Sequence, residues 1–194
     1  MMHTNDQQTA LLIMDMQMGI VKNLPDQALL IDSVAKAISY ARSKGLRIIY
    51  VRVGFRPGLP EVSMNNKNFA TFGQRLANTS MHTFMQIHDE LTPLHDEAIV
   101  DKRRISAFTG SDLEVILRAN NIHHIVLSGV STSGVVLSTT REAADKDYKI
   151  TILSDCCADP DEEVHSLLMR KVFPKQADVV MLDEWQNAFS AIQA

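Results

Sequence analysis

The segment from Ile122 to Tyr148 constrains the fold of this chain more than any other part of the sequence. It contains a short apolar run, Ile125 to Leu127, that ends at Gly129. Such a run is typical of a strand buried on both faces of a parallel sheet. The small residues from Ser131 to Gly134 then favour a tight turn, and the sequence beyond them predicts a helix. Strand, turn and helix bring several backbone N–H groups to one point, where the helix dipole favours negative charge.

The same alternation of apolar strand and amphipathic helix runs along the whole chain. The predicted strands are Ala10–Met14, Leu46–Val53, Ala98–Asp101, Ile122–Gly129, Lys149–Leu153 and Ala177–Leu182. Strictly alternating elements with apolar strands predict a doubly wound α/β sandwich, and its strand–helix–strand units are expected to be right-handed.

Helix boundaries follow from local signals. A helix is predicted after Pro25 and Asp26, with Gly45 as its C-terminal cap. Its apolar stripe is Leu30, Val34, Ala37, Ile38 and Ala41. The segment Ser111–Glu114 reads as a capping box that starts another helix. Asp159 is predicted to cap a further helix, with Pro160 at its first position. The helix after Gly134 is expected to turn Val135, Leu137, Thr139 and Ala143 toward the sheet.

Length and charge narrow the classes of function. With 194 residues, one domain spanning residues 1–194 is expected. A net charge of -4 without a basic cluster argues against nucleic acid or an anionic membrane surface as a partner. No apolar run approaches the roughly 18 residues of a membrane helix. The N-terminus lacks the apolar core of a signal peptide, so we expect a cytoplasmic protein. Cys156 and Cys157 are adjacent and lack the spacing of metal ligands.

The segment from Gly54 to Pro93 departs from the alternating pattern. It contains Pro57, Pro60 and an asparagine-rich patch, and no regular element is predicted in it. Long loops inside compact domains are uncommon unless they have a function, so one interpretation is a segment that covers the substrate. The alternative is a partly disordered insertion or an oligomer contact.

Three polar groups fall at the carboxyl ends of predicted strands, where open α/β sheets bind ligands. They are Asp15, Lys102 and the turn Ser131–Gly134. An acid, a cation and several N–H donors at one edge are able to protonate a substrate and stabilise a developing anion. Each has a plainer interpretation, because an Asp at a strand end often caps a loop and a Lys there is usually solvated.

These residues carry a resemblance to the isochorismatase-like (cysteine hydrolase) superfamily over nearly the whole chain. The matching motifs are Asp15-x-Gln17, Lys102-x-x-x-Ser-Ala-Phe108 and Gly129-Val-Ser-Thr132, followed by Thr139, Arg141, Ala143 and Tyr148. The resemblance implies a three-layer α/β/α sandwich with a six-stranded parallel sheet. It also implies a homo-oligomer, a dimer or a tetramer, that acts on a small molecule.

The amide-cleaving members of that superfamily use an Asp, a Lys and a nucleophilic Cys that follows a non-proline cis peptide. By resemblance, Asp15 and Lys102 take the first two places and Val130–Ser131 is the cis bond. The place of the cysteine falls on Val135, and on Gly134 if the alignment moves by one residue. Neither side chain is a nucleophile, so a thioester route is excluded there.

Three hypotheses follow. The isochorismatase branch cleaves a vinyl ether with Asp and Lys and without Cys, which makes Asp15 a general acid or base and Lys102 its partner. In the second, the same cavity binds a metabolite without turning it over. In the third, Ser131, Thr132 or Ser133 is the nucleophile of an amidase, although no histidine is placed by the sequence to activate it. The Ser131–Ser133 stretch resembles the amide-cleaving branch more closely.

A metal site is not expected, because the histidines show no ligand spacing and the segment after the second strand has no imidazole. No cofactor is expected. Phe55 and Arg56 end the second strand and could meet a planar or anionic substrate, although a solvated Arg is the plainer interpretation. The residues assigned to the pocket are Gln17, Phe55, Arg56, Phe108, Val130, Ser131, Thr132, Ser133, Gly134 and Val135.

Overall fold

The computed structural model describes residues 8–24, 26–76 and 79–192. Its strands are β1 (Thr9–Met14), β2 (Arg47–Val53), β3 (Ala98–Lys102), β4 (His124–Val130), β5 (Lys149–Ala158) and β6 (Asp178–Val180). They form a six-stranded parallel sheet in the order β3-β2-β1-β4-β5-β6. The chain runs outward from β1 to β3 and then returns to β4, so the strand order reverses between β1 and β4. A crevice for ligands is expected at the carboxyl ends of these two strands.

Helices cover both faces of this sheet. They are α1 (Met18–Val21), α2 (Gln27–Ser43), α3 (Lys67–Leu76), α4 (Met81–Met85), α5 (Leu113–Ala119), α6 (Leu137–Asp145), α7 (Glu162–Leu167) and α8 (Leu182–Ile192). Side chains alternate along β1, so Leu11 packs with α2 and α8 while Leu12 packs with α5 and α6. The predicted α/β/α sandwich with a parallel sheet is therefore confirmed. The whole apolar stripe predicted for α2 is buried, and Gly45 follows this helix with a φ of 66°.

The fifth strand is longer than predicted. It continues past Leu153 to Ala158, after a shift of register opposite β4 between Leu127 and Gly129. The irregularity lets the polar Ser154 and Asp155 lie within a buried strand. Cys156 and Cys157 consequently lie inside the strand, with buried side chains, rather than in the loop beyond its end.

Two predicted helix caps have different partners in the structure. The Asp161 carboxylate, not that of Asp159, accepts the Val164 N–H at the start of α7. The Ser111 hydroxyl accepts from Leu113 N at 3.2 Å, so the bond to Glu114 N of a capping box is absent. Helix α5 nevertheless begins at Leu113, within the predicted segment Ser111–Glu114. Ser111 and Asp159 each accept the N–H two residues ahead, a local bond that Ser and Asp side chains form readily in place of a helix cap.

The described residues of the segment 54–93 include regular helices. The segment contains α3, α4 and a 3-10 turn at Asp89–Leu91, and the two helices pack around an aromatic cluster of their own. Phe55 lies in this cluster, with its ring centroid 5.7 Å from that of Phe69. Helix α4 seats Phe84 against Gly19 and Met85 against Gly54, where a Cβ atom would collide with either side chain. The prediction that this segment has no regular element was therefore wrong for its described residues.

No helix in the described part of the chain is both long and apolar enough to cross a membrane.

Candidate active site

Asp15 and Lys102 meet at the carboxyl edge of the sheet. Asp15 follows β1 directly, and Lys102 is the last residue of β3, two strands away. The Lys102 side chain reaches across the end of β2 and places Nζ 2.9 Å from Asp15 Oδ2. The same ammonium donates to the Arg104 carbonyl at 3.0 Å. Both side chains are almost completely buried, so solvent does not screen this pair.

The second oxygen of Asp15 has no partner. Oδ1 is buried and accepts no hydrogen bond within the described structure. Burial raises the pKa of Asp15 above its ordinary value, and the charge and hydrogen bond of Lys102 oppose this rise, as does the backbone at Val53. An unpaired, buried carboxyl oxygen with a raised pKa is suited to carry a proton to or from a bound molecule.

The turn after β4 forms the wall beside this carboxyl group. Gly129 has a φ of 133° and lies against the Met14 carbonyl, so any Cβ would collide with β1. The next peptide bond, Val130–Ser131, is cis, as the resemblance implied. The segment Thr132–Val136 then forms a single π-helical turn that leads into α6. This path leaves Ser131 and Val135 facing the crevice between β1 and β4.

The crevice is a cavity of about 450 Å³, a size suited to a small molecule. Its floor is Asp15 and Lys102, and its walls and rim come from the loop after β1, from α3 and from the turn after β4. The lining residues are Asp15, Gly19, Ile20, Asn23, Leu24, Val53, Asn68, Phe69, Phe72, Arg75, Lys102, Ile105, Val130, Ser131, Gly134, Val135 and Pro160.

A larger depression, about 670 Å³, lies at the opposite, amino-terminal edge of the sheet. Its Arg42 is already bound to the Glu97 carboxylate through two bonds of 2.8 Å. The smaller cavity instead contains the buried Asp15–Lys102 pair with the unpaired Oδ1 of Asp15, so we place the chemistry there.

Several predicted pocket residues do not line the cavity. Gln17 is buried beneath it and holds β2 to α4, since its amide donates to the Val53 and Phe84 carbonyls. Phe55 belongs to the aromatic cluster. Arg56 is exposed and pairs with Glu61, because β2 ends before the chain turns into the excursion. Phe108 packs against Tyr148 in the core, with ring centroids 5.9 Å apart.

The three hydroxyl residues of the turn point in different directions. Ser131 lines the cavity. Thr132 is fully buried, and its Oγ1 lies 2.8 Å from His165 Nδ1. Ser133 is exposed, and its N–H donates to Asp159 Oδ2 at 2.7 Å. The N–H of Gly134 also has a partner, the Ser131 carbonyl at 3.1 Å. The N–H groups of Ser133 and Gly134 are therefore occupied within the chain, contrary to the expectation that the whole turn offers donors to an anion.

The part of the cavity rim that α3 forms was not predicted from the sequence. Asn68, Phe72 and Arg75 recur at helical spacing, a signal that could have identified a helix in this segment. Glycine, proline and asparagine on either side obscured it. Pro160 reaches the cavity because β5 extends five residues beyond its predicted end at Leu153, to Ala158.

No group of three or more His, Cys, Asp or Glu side chains within the described ranges could hold a metal ion. The absence of a metal site remains a prediction.

Comparison with known proteins agrees with this geometry. Residues 9–184 match the isochorismatase domain. The chain is 28% identical over 193 residues to the uncharacterized isochorismatase family protein YecD of Escherichia coli O157:H7, covering 97% of this chain and 100% of that protein. It is 28% identical over 173 residues to the ureidoacrylate amidohydrolase RutB of Cronobacter turicensis, covering 77% and 74% of the two chains.

Among solved structures, an isochorismatase family protein from Burkholderia thailandensis superposes with a TM-score of 0.84 and 25% identity, covering 96% of this chain and 98% of that one. Because the domain match spans most of the sequence and the fold superposes over nearly its whole length, the chain belongs to the isochorismatase family, in the isochorismatase-like (cysteine hydrolase) superfamily.

Proposed function

We propose that this protein is a small-molecule hydrolase that works without a nucleophilic cysteine, with Asp15 as general acid and base and Lys102 as its electrostatic partner. The observation that supports this most directly is the unpaired Oδ1 of Asp15 at a cavity wall formed by Val135. We place Val135 at the family's cysteine position. Both cysteines of the chain lie in β5 and neither lines the cavity.

Vinyl-ether cleavage suits this arrangement. The Asp15 O–H gives its proton to the terminal carbon of the enol ether, and the adjacent carbon becomes an oxocarbenium ion. Water adds to that carbon and returns a proton to the Asp15 carboxylate. The resulting hemiketal breaks its C–O bond to give a carbonyl compound and an alcohol, so one water is consumed. Burial of Asp15 supports the first step, because it favours the protonated carboxyl group.

A second candidate is amide cleavage by Ser131. Of the three hydroxyl residues in the turn, Ser131 is the one that lines the cavity, and the amidohydrolase RutB is a relative. Gly134 leaves room for this hydroxyl, since a Cβ there would come within 2.6 Å of Ser131 Oγ. In that reaction Asp15 would take the Ser131 proton as the general base.

The two candidates are separated by turnover of a panel of vinyl ethers, amides and ureido compounds by the wild type, Asp15→Asn and Ser131→Ala. The leading proposal expects vinyl-ether turnover that Asp15→Asn abolishes and Ser131→Ala largely retains. Amide turnover lost in both variants would favour the serine route. Ligand-induced shifts in melting temperature with no turnover of any compound would instead identify a metabolite-binding protein and overturn both.

A further inference from the structure

The cavity carries more positive than negative charge. Among the described residues its ionisable side chains are Asp15, Lys102 and Arg75. Asp15 and Lys102 pair with each other and their charges cancel. The charge of Arg75 is therefore left unbalanced. A cavity with an unbalanced cation attracts anionic ligands and disfavours cationic ones.

The Arg75 side chain differs from those of the arginines around it in having no partner within the described structure. Arg52 binds the Asp101 carboxylate at 2.6 Å, and Arg103 donates to the Gly54 carbonyl at 3.0 Å. Arg104 stacks over the Phe69 ring, with its guanidinium carbon 5.5 Å from the ring centroid. Arg75 is exposed in the last turn of α3 and makes neither contact. Its five donors are therefore available to a ligand.

One face of helix α3 lines the cavity. Asn68, Phe72 and Arg75 are spaced four and three residues apart, so they lie on one face of the helix, and that face lines the cavity. Phe72 and Phe69 meet edge to face with their centroids 6.4 Å apart, and they provide an apolar wall. The guanidinium is exposed at the rim, whereas Asp15 and Lys102 are buried at the floor.

We propose that Arg75 binds the carboxylate of the substrate, so that the substrate is a small carboxylic acid with a planar, apolar body. The reaction at Asp15 rests on the proposed function, whereas the binding of a carboxylate by Arg75 does not depend on it. A guanidinium matches a carboxylate with two parallel N–H···O bonds, which gives orientation as well as affinity. With the carboxylate held at the rim and the apolar body against Phe69 and Phe72, the opposite end of the molecule reaches the Asp15–Lys102 pair.

Benzoate and benzamide test this assignment, because they have nearly the same shape and differ in charge. Their dissociation constants are measured by titration calorimetry with the wild type, Arg75→Gln, Arg75→Lys and Arg170→Gln. Arg170 is exposed on the π turn Leu168–Val172 and does not line the cavity, so its replacement makes the same change in net charge elsewhere. Arg75 is also exposed, so neither replacement is expected to impair folding.

The wild type and Arg170→Gln are expected to bind benzoate more tightly than benzamide. Arg75→Gln should weaken benzoate binding about tenfold, about 1.4 kcal/mol, and leave benzamide binding unchanged. Arg75→Lys should retain part of the affinity. Equal affinity for the two probes in the wild type, no benzoate binding at millimolar concentration, or equal losses in Arg75→Gln and Arg170→Gln would overturn the assignment. Asp15→Asn should keep the preference for benzoate, so a failure of the proposed reaction leaves this result interpretable.

Discussion

Asp159 Oδ2 accepts the N–H of Ser133 at 2.7 Å and so joins the end of β5 to the turn after β4. The other oxygen of the same carboxylate accepts the Asp161 N–H at 3.2 Å. Asp161 in turn caps α7, the helix that carries His165 against Thr132. Two side chains, Asp159 before α7 and His165 within it, thus bond to the turn that forms one wall of the cavity.

Replacing Asp159 should loosen this connection. In Asp159→Ala two backbone N–H groups lose their acceptor, and since both are near the surface we expect a loss of about 1 kcal/mol in the free energy of unfolding. Urea denaturation measures it. Asp178→Ala is a matched control, because this exposed carboxylate at the start of β6 has no hydrogen bond or ion pair within the described structure. Equal stabilities of the two variants would show that the Asp159 bonds contribute nothing.

Removing one member of the buried Asp15–Lys102 pair should lower the free energy of unfolding far more than removing one member of an exposed ion pair. Lys102→Met leaves the Asp15 carboxylate buried without a cation, and such a change typically costs about 3–5 kcal/mol. The matched control is Lys36→Met, which breaks a pair with Asp32 of 2.7 Å between side chains that are 64% and 59% exposed. There we expect only a small loss in the free energy of unfolding, because water screens this exposed pair.

The double variant Asp15→Asn/Lys102→Met separates charge from packing. Asp15 has a φ of 56°, a conformation that Asn tolerates well, so this replacement removes the charge with little strain. Urea denaturation should find the double variant more stable than Lys102→Met alone. If it is equally unstable or less stable, the loss comes from the missing side-chain volume of Lys102 and not from an unpaired carboxylate.

The sequence predicted the parts of the site that the sheet itself positions. Asp15 directly follows β1 and Lys102 is the last residue of β3, and parallel strands bring their carboxyl ends to one edge of the sheet. The sandwich with its parallel sheet followed from the alternation and the family resemblance, and the wall after Gly129 followed from the family motifs. These features depend on the local residue pattern and on the alternation of strands and helices, and both can be recognised in a single sequence.

The residues that were missed depend on packing between distant segments. Arg75 lies in a stretch whose turn-forming residues hid a helix, and the docking of α4 depends on Gly19 and Gly54 making room for two side chains. Arg56 was assigned to the cavity from its position after β2, but its direction is set by Glu61 in the excursion. His165 is 33 residues from its partner Thr132, and nothing in the local sequence connects them.

The two cysteines should be unreactive in the folded protein. Burial raises the pKa of Cys157 to about 12 and raises that of Cys156 still further. Since the thiolate is the species that reacts, iodoacetamide should label neither thiol until the chain is unfolded, as mass spectrometry can show. Any catalytic turnover should persist in the double variant Cys156→Ala/Cys157→Ala. Rapid labelling of native protein with loss of turnover would indicate that a thiol takes part in the reaction.

His124 should make the protein less stable in acid. Its imidazole is buried at the other edge of the sheet, with Nδ1 3.4 Å from Thr9 Oγ1 and Nε2 2.9 Å from Thr151 Oγ1. Burial, with a smaller effect of the Lys149 charge, lowers its pKa from 6.5 to about 4. The unfolded chain therefore takes up this proton first, so the stabilising effect of a neutral His124 is complete above pH 6.5 and is lost as the pH falls toward 4. The total is about 3 kcal/mol.

Asp15 acts in the opposite direction, because its raised pKa contributes stability at low pH that is lost as the pH rises. The His124 effect is therefore isolated by comparing the wild type with His124→Gln, which keeps a hydrogen-bonding side chain but does not titrate. Free energies of unfolding from urea denaturation should diverge between pH 6.5 and 4, with the wild type losing more. Because other groups titrate equally in both proteins, parallel curves would mean that the pKa of His124 is the same in the folded and unfolded chain, and a wild type that loses less would mean that the folded state favours the imidazolium.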